Sequence, residues 1–128
     1  MEKKFVSVGS LKVGGYVLID GSVCQIKSIE KSKPGKHGSA KARIVAIDVF
    51  TGQKKNLLKP TSADAEVPVI QKGTAQVVAV MGETIQIMDV QTYETKDIPS
   101  PKEITGLKSG DEVEFMRYGD HFKILRKK

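Results

Sequence analysis

The chain has 128 residues, 39% of them apolar, and no segment approaches the ~20 consecutive apolar residues of a membrane-spanning helix. Its formal charge of +6 points toward an acidic partner. One cysteine and two histidines exclude a disulfide framework and a zinc site.

The opening Met1-Glu2-Lys3-Lys4-Phe5 lacks the apolar run of a secretory signal and moves straight into strand-like residues. Residues 16–19 and 22–29 are strand-like and flank Asp20-Gly21, a dipeptide that favours a two-residue type I′ hairpin. Cys24 lies in the apolar run Val23-Cys24-Gln25-Ile26, the setting of a buried, inert thiol, and a reducing cytoplasm is the expected compartment. Residues 26–31 and 41–49 are expected to pair as a long hairpin. In Arg43-Ile44-Val45-Ala46-Ile47 apolar residues occur on both parities, as in a strand covered on both faces. Phe50-Thr51-Gly52-Gln53 turns the chain into a strand near residues 54–58, and residues 65–70 supply a last extended piece. Short strands with tight turns predict a small SH3-like barrel over residues 1–70.

Gln71-Lys72-Gly73 is the expected boundary, because the charge balance changes there and a glycine follows Val67-Pro68. Residues 75–81 and 84–89 read as strands around the Gly82 turn, with Ile85 and Ile87 facing inward, and residues 93–98 as a third. Ser100-Pro101-Lys102-Glu103 has a capping-box pattern that predicts one short helix. Ile104 and Leu107 would share a face of it, and Gly106 limits its length. Residues 112–116 and 122–126 complete the order of an OB-fold over residues 73–128. Tyr93, Phe115, Tyr118 and Phe122 are candidates for stacking on bases, although Phe115 and Phe122 alternate with polar neighbours as core residues do. No internal repeat is visible. The predicted class is all-β.

Charge separates these halves. Residues 1–72 hold thirteen Lys and Arg against six Asp and Glu, whereas residues 73–128 hold eight against nine. Between residues 31 and 47 stand Lys31, Lys33, Lys36, Lys41 and Arg43, with no acid. Such a stretch suits a phosphate-rich partner, because each neutralised phosphate releases condensed counterions. At its centre, Gly35-Lys36-His37-Gly38 sets one lysine between two glycines at the tip of the long hairpin. The glycines permit sharp turning and close approach, and Pro34 stiffens the entry. Taken alone, the tetrapeptide also suits a solvated hairpin tip.

The stretch Ser32-Lys33-Pro34-Gly35-Lys36-His37-Gly38-Ser39-Ala40-Lys41 closely resembles the modification loop of translation factor 5A, the archaeal and eukaryotic counterpart of bacterial elongation factor P. The resemblance continues through Ile47-Asp48-Val49-Phe50-Thr51-Gly52 and Val67-Pro68, and in spacing it covers essentially the whole chain. Pro34, Ser39 and the lack of an N-terminal extension resemble the archaeal form. By this resemblance Lys36 is converted to deoxyhypusine or hypusine by a deoxyhypusine synthase, which transfers the aminobutyl group of spermidine. Lys33, Pro34, Gly35, His37, Gly38, Lys41 and Arg43 are then loop and RNA-contact residues. The implied partners are the ribosome, ribosomal RNA and peptidyl-tRNA. The implied roles are assistance to peptide-bond formation at stalling sequences, and effects on initiation and termination. No catalytic residue, bound cofactor, metal or membrane partner is implied.

An enzyme reading finds little support. Gly35-Lys36 lacks P-loop spacing, His37 and His121 have no acids at motif spacing, and Cys24 has no local activating partner. A general ribosome-associated RNA-binding protein would use the basic stretch without a modified lysine. A self-assembling structural relative would use strand edges and would not need the Lys36 tetrapeptide. Bacterial elongation factor P is disfavoured because the chain has no room for a third domain.

Overall fold

Asp20 and Gly21 both adopt left-handed backbone, at φ 51° and 79°, which gives the hairpin turn its sequence predicts. The computed structural model describes residues 2–33 and 40–128. It divides into two compact units, Met1–Val69 and Ile70–Lys128.

The first unit contains β1 (Lys3–Ser7), β2 (Tyr16–Ile19), β3 (Ser22–Ser32), β4 (Lys41–Asp48), β5 (Lys54–Pro60) and β6 (Asp64–Pro68). A four-stranded antiparallel sheet in the order β2-β3-β4-β5 and a two-stranded β1-β6 ribbon form the SH3-like barrel. Its core gathers Val8, Val17, Ile26, Ile44 and their neighbours. Full burial of such a side chain contributes about 1.5–3 kcal/mol. On β4 the residues Ala42, Ile44 and Ala46 are buried. The opposite row is only half-buried at Val45 and Ile47, and it is exposed at Arg43 and Lys41. The expected strand covered on both faces is therefore a strand with one buried face that becomes polar toward its N-terminal end. Cys24 is fully buried, as its sequence context predicts.

The second unit contains β7 (Gln71–Met81), β8 (Thr84–Asp89), β9 (Thr95–Pro99), β10 (Glu112–Tyr118) and β11 (His121–Lys127). Their order, β11-β10-β7-β8-β9, is that of an OB-fold in which β7 pairs on both edges. Val77, Ile85, Ile87, Val113 and Phe115 lie in its core, so Ile85 and Ile87 face inward as expected.

Three further details differ from the sequence reading. Gln71-Lys72-Gly73 is not a connection but the first part of β7, paired with Arg117, Met116 and Phe115. Gly73 serves packing there, since a Cβ on it would stand 2.9 Å from the Phe115 ring. No helix forms across residues 100–108; among the described residues the helical piece is the 3-10 turn Val8–Ser10. Ser100 is biased toward extended backbone by Pro101, and Gly106 turns left-handed at φ 78°, which leaves too few residues to repay helix nucleation. Ile104 and Leu107 pack against the core without it.

The third difference is a repeated turn. Asp48-Val49-Phe50-Thr51-Gly52-Gln53 and Asp89-Val90-Gln91-Thr92-Tyr93-Glu94 fold alike, one in each unit. The Asp48 carboxylate accepts from the Phe50 and Thr51 amides at 2.8 and 3.1 Å, and that of Asp89 from Gln91 and Thr92 at 2.8 and 3.4 Å. The fifth position is left-handed in both, Gly52 at φ 79° and Tyr93 at φ 60°. Tyr93 therefore sits in a turn, and β9 starts only at Thr95.

Candidate functional site

Antiparallel pairing of β3 with β4 builds the stems of the Lys36 loop. The ladder runs from Cys24↔Asp48 to Ser32↔Lys41, with a bulge between Ile26 and Ser28. Lys36 itself, with Pro34, Gly35, His37, Gly38 and Ser39, lies outside the described residues.

Buried apolar residues fix the inner face of the stems: Ala42 and Ile44 on β4, with half-buried Ile29 against them. The opposite face of β4 carries Lys41 and Arg43, both exposed; Lys33, just beyond the end of β3, is exposed as well. The structure thus places Lys33, Lys41 and Arg43 exposed around the loop stems, with Glu30 opposite Arg43 on the same face. Arg43 pairs in register with Leu58 of β5, which is 59% exposed, and together with Asn56 and Leu57 they line a shallow depression.

Two turns hold the stems from below. The Thr61 amide donates to the Ala40 carbonyl at 2.9 Å, and the Gly9 amide donates to the Thr61 carbonyl at 2.9 Å. Lys31 Nζ donates to the Gly9 carbonyl at 3.1 Å. Gly9 and Thr61 carried no signal in the sequence, because they are remote from the loop along the chain and neither has a distinctive side chain. Lys31 registered only as one cation among five.

Other candidates are occupied structurally. Burial, and secondarily the negative charge of Asp48, push the Cys24 thiol pKa up, so the thiol stays protonated and unreactive. In the second unit Phe115 and Tyr118 are buried. The Phe122 ring lies 5.4 Å from Phe115 between centroids, with the Arg117 guanidinium 4.9 Å above it. Arg117 also binds Glu94 at 3.1 Å. Of the four aromatics considered for base stacking, only Tyr93 stands clear, at 73% exposed. Among the described residues no group of three or more His, Cys, Asp or Glu could hold a metal ion, and no helix is long and apolar enough to cross a membrane.

Residues 3–63 match the family model for the N-terminal part of translation initiation factor 5A-like proteins. A translation initiation factor 5A of Methanocaldococcus jannaschii is 54% identical over 123 residues, covering 96% of this chain and 93% of the relative. That of Pyrobaculum neutrophilum is 51% identical across the whole of both chains. In three dimensions, a solved structure described as a eukaryotic translation initiation factor 5A from Methanococcus jannaschii superposes with a TM-score of 0.89 at 51% identity, over 98% of this chain and 96% of that one. A relative from Naegleria fowleri superposes at 0.75 with 33% identity, over 100% and 99%. With identity of this level sustained through both β units, the chain belongs to the translation initiation factor 5A family.

Proposed function

We propose that this translation factor binds the ribosome through its first unit and uses an aminobutyl-modified Lys36 to position peptidyl-tRNA for peptide-bond formation. The carrying observation is the set of exposed cations, Lys33, Lys41 and Arg43, on the stems that flank Lys36, within an acid-free stretch from residue 31 to 47. Phosphate contacts by such cations supply affinity and register on RNA. The second unit, without net positive charge and with most of its aromatics internal, contributes little to that attraction.

Modification is a substitution at carbon. The Lys36 ε-nitrogen, deprotonated, forms a C–N bond to the terminal carbon of spermidine's aminobutyl group. The donor's own C–N bond breaks, and the remaining diamine leaves with the proton. The synthase performs this step, with Lys36 as its substrate. The product reaches roughly 6 Å further than lysine and gains a second cationic amine. Such a group can bridge phosphates and hydroxyls at the acceptor end of peptidyl-tRNA, and holding reactants in line lowers a barrier without new covalent chemistry. Stalling sequences such as consecutive prolines gain most from this help, and the same contact serves initiation and termination. The cytoplasm is where this work takes place.

Lys36→Arg tests the reading. Arginine keeps a cation at the loop tip, yet its guanidinium stays protonated and cannot accept the aminobutyl group. Intact mass of the protein from its native cell should show an aminobutyl adduct at Lys36. The variant should fold normally, carry no adduct, and stimulate proline-rich peptide synthesis no better than omitting the factor. Full activity of Lys36→Arg in a reconstituted translation assay would leave general RNA binding as the better reading.

A further inference from the structure

The hydrogen bonds beneath the loop form a connected path from one stem to the other. It starts at Ala40, the residue before β4, passes through the peptide units of Thr61 and Gly9, and ends at Lys31 on β3. Thr61 and Gly9 each donate through the backbone amide and accept through the carbonyl. Lys31 reaches this path because it shares the inner face with Ile29 and pairs with Ala42, beyond the apolar end of the core. Its ammonium is committed to a carbonyl, unlike those of the outward cations.

Close approach of the two turns requires Gly9. A Cβ there would stand 3.3 Å from the Thr61 carbonyl oxygen and 3.4 Å from its Cβ, so one turn would have to retreat by a few tenths of an ångström. The neighbouring Val8 is fully buried and serves the core; Gly9 is not required for that. The bond from exposed Lys31 contributes little to stability, since water competes for both partners. Its consequence is geometric: with the Thr61 and Gly9 bonds it ties the already paired stems to the two turns beneath them.

We propose that Lys31, Gly9 and Thr61 form a bracket that holds the two stems of the Lys36 loop in the geometry the modifying enzyme needs, which makes Lys31 and Gly9 positioning residues for aminobutyl transfer. This rests on the reading of Lys36 as the modified residue. A paired hairpin that tilts away from those turns presents the amine in unproductive poses even when bound, which lowers kcat. Loss of a surface charge instead weakens docking and raises KM.

The full chain and its variants are incubated with deoxyhypusine synthase and labelled spermidine, and initial rates are measured. Gly9→Ala, which changes no charge, should lower kcat by about five-fold, as should Lys31→Met, the size expected from losing one ordinary hydrogen bond of the bracket. Lys31→Arg should restore most of the rate. Lys54→Met, with the same charge loss on an exposed residue of the same sheet, should alter KM alone. In parallel, hydrogen exchange at the Thr61 amide should be slow in the parent and about ten-fold faster in Gly9→Ala, as an exposed bond of this strength allows. Incorporation into the parent with unchanged kcat in both Gly9→Ala and Lys31→Met would overturn the bracket alone. Absence of incorporation into the parent would overturn the Lys36 reading and the bracket's role with it.

Discussion

Replacing Gly73 by alanine adds one methyl group where β7 passes over an aromatic ring. Its Cβ would lie 2.9 Å from Phe115 Cζ and 3.1 Å from Cε1. Carbon atoms pack comfortably near 3.5 Å and beyond, so the ring must withdraw by about 0.6 Å. It has little room to do so. Phe115 is only 3% exposed, its face meets Phe122, and Phe122 is in turn covered by Arg117. Overpacking of this kind costs about 1–3 kcal/mol, while loss of glycine's freedom in the unfolded chain returns about 0.4–1 kcal/mol. A net destabilisation of about 1–2 kcal/mol follows. Denaturant-dependent hydrogen exchange of β8 and β10 amides in the full chain reads this directly, and amides of the first core should not change. Phe115→Leu should relieve the collision, so the double variant should be more stable than the sum of the single effects by more than about 0.5 kcal/mol. A Gly73→Ala protein with parental protection in β8 and β10 would refute the packing account and return Gly73 to a connecting role.

Three further outcomes are expected. Neutralising Lys33, Lys41 and Arg43 together should weaken ribosome association and flatten its salt dependence, as measured by co-sedimentation across a salt series; an unchanged slope would remove the stems from the binding account. Tyr93→Gly should stabilise the second unit by about 1 kcal/mol in the same exchange assay, because it relieves a left-handed side-chain residue at little loss of contact. The Asp111 carboxylate is held below its ordinary pKa, first by the hydrogen bond from the Lys108 amide and then by Lys127. The native state therefore favours the charged form: Asp111 adds stability above the ordinary carboxylate pKa and loses it as pH falls through the lowered one. Asp111→Asn should accordingly be less stable than the parent at neutral pH and indistinguishable from it in acid.

Where a sequence signal is local and carried by one residue type, it matched the structure. Asp20-Gly21 demands left-handed backbone at both positions, and few sequences other than this one supply it. The alternation around Ile85 and Ile87 could face only one way. Signals that depend on distant partners were illegible or misleading. Gly73 resembles a linker until Phe115, far along the chain, is seen to occupy the space of a side chain. Tyr93 is a strand former by propensity, yet the Asp89 carboxylate captures the amides that follow it and forces Tyr93 into the position Gly52 fills in the other unit. That repeat is illegible in the sequence because its key similarity, an acid two and three residues before its amide partners, is conformational more than compositional. The capping-box residues are real, but Pro101 and Gly106 bracket too short a span for a helix. The cations of the site were legible as a patch. Their division into Lys41 and Arg43 facing outward and Lys31 tied inward was not, because it depends on strand register.

That register is set by a single extra residue. Above the bulge, Cys24 and Ile26 face the first core; below it, Ile29 does, and Lys31 follows on the same side beyond the core's end, so the inward parity changes from even to odd across Lys27. Side chains alternate strictly along a strand, and a one-residue slip exchanges the two faces. Without the extra residue, Ile29 would turn to solvent and Glu30 toward Ala42 and Ile44, placing an acid where the chain now has a cation reaching for Gly9. The bulge thus connects local chemistry to function. It keeps an apolar residue packed beneath the stems and points Lys31 at the Gly9 carbonyl. The partner strand is left to present Lys41 outward between Ser32 and Pro60, and Arg43 outward between Glu30 and Leu58. A basic surface and an anchored loop base are therefore two faces of one hairpin, and neither can be altered in register without losing the other.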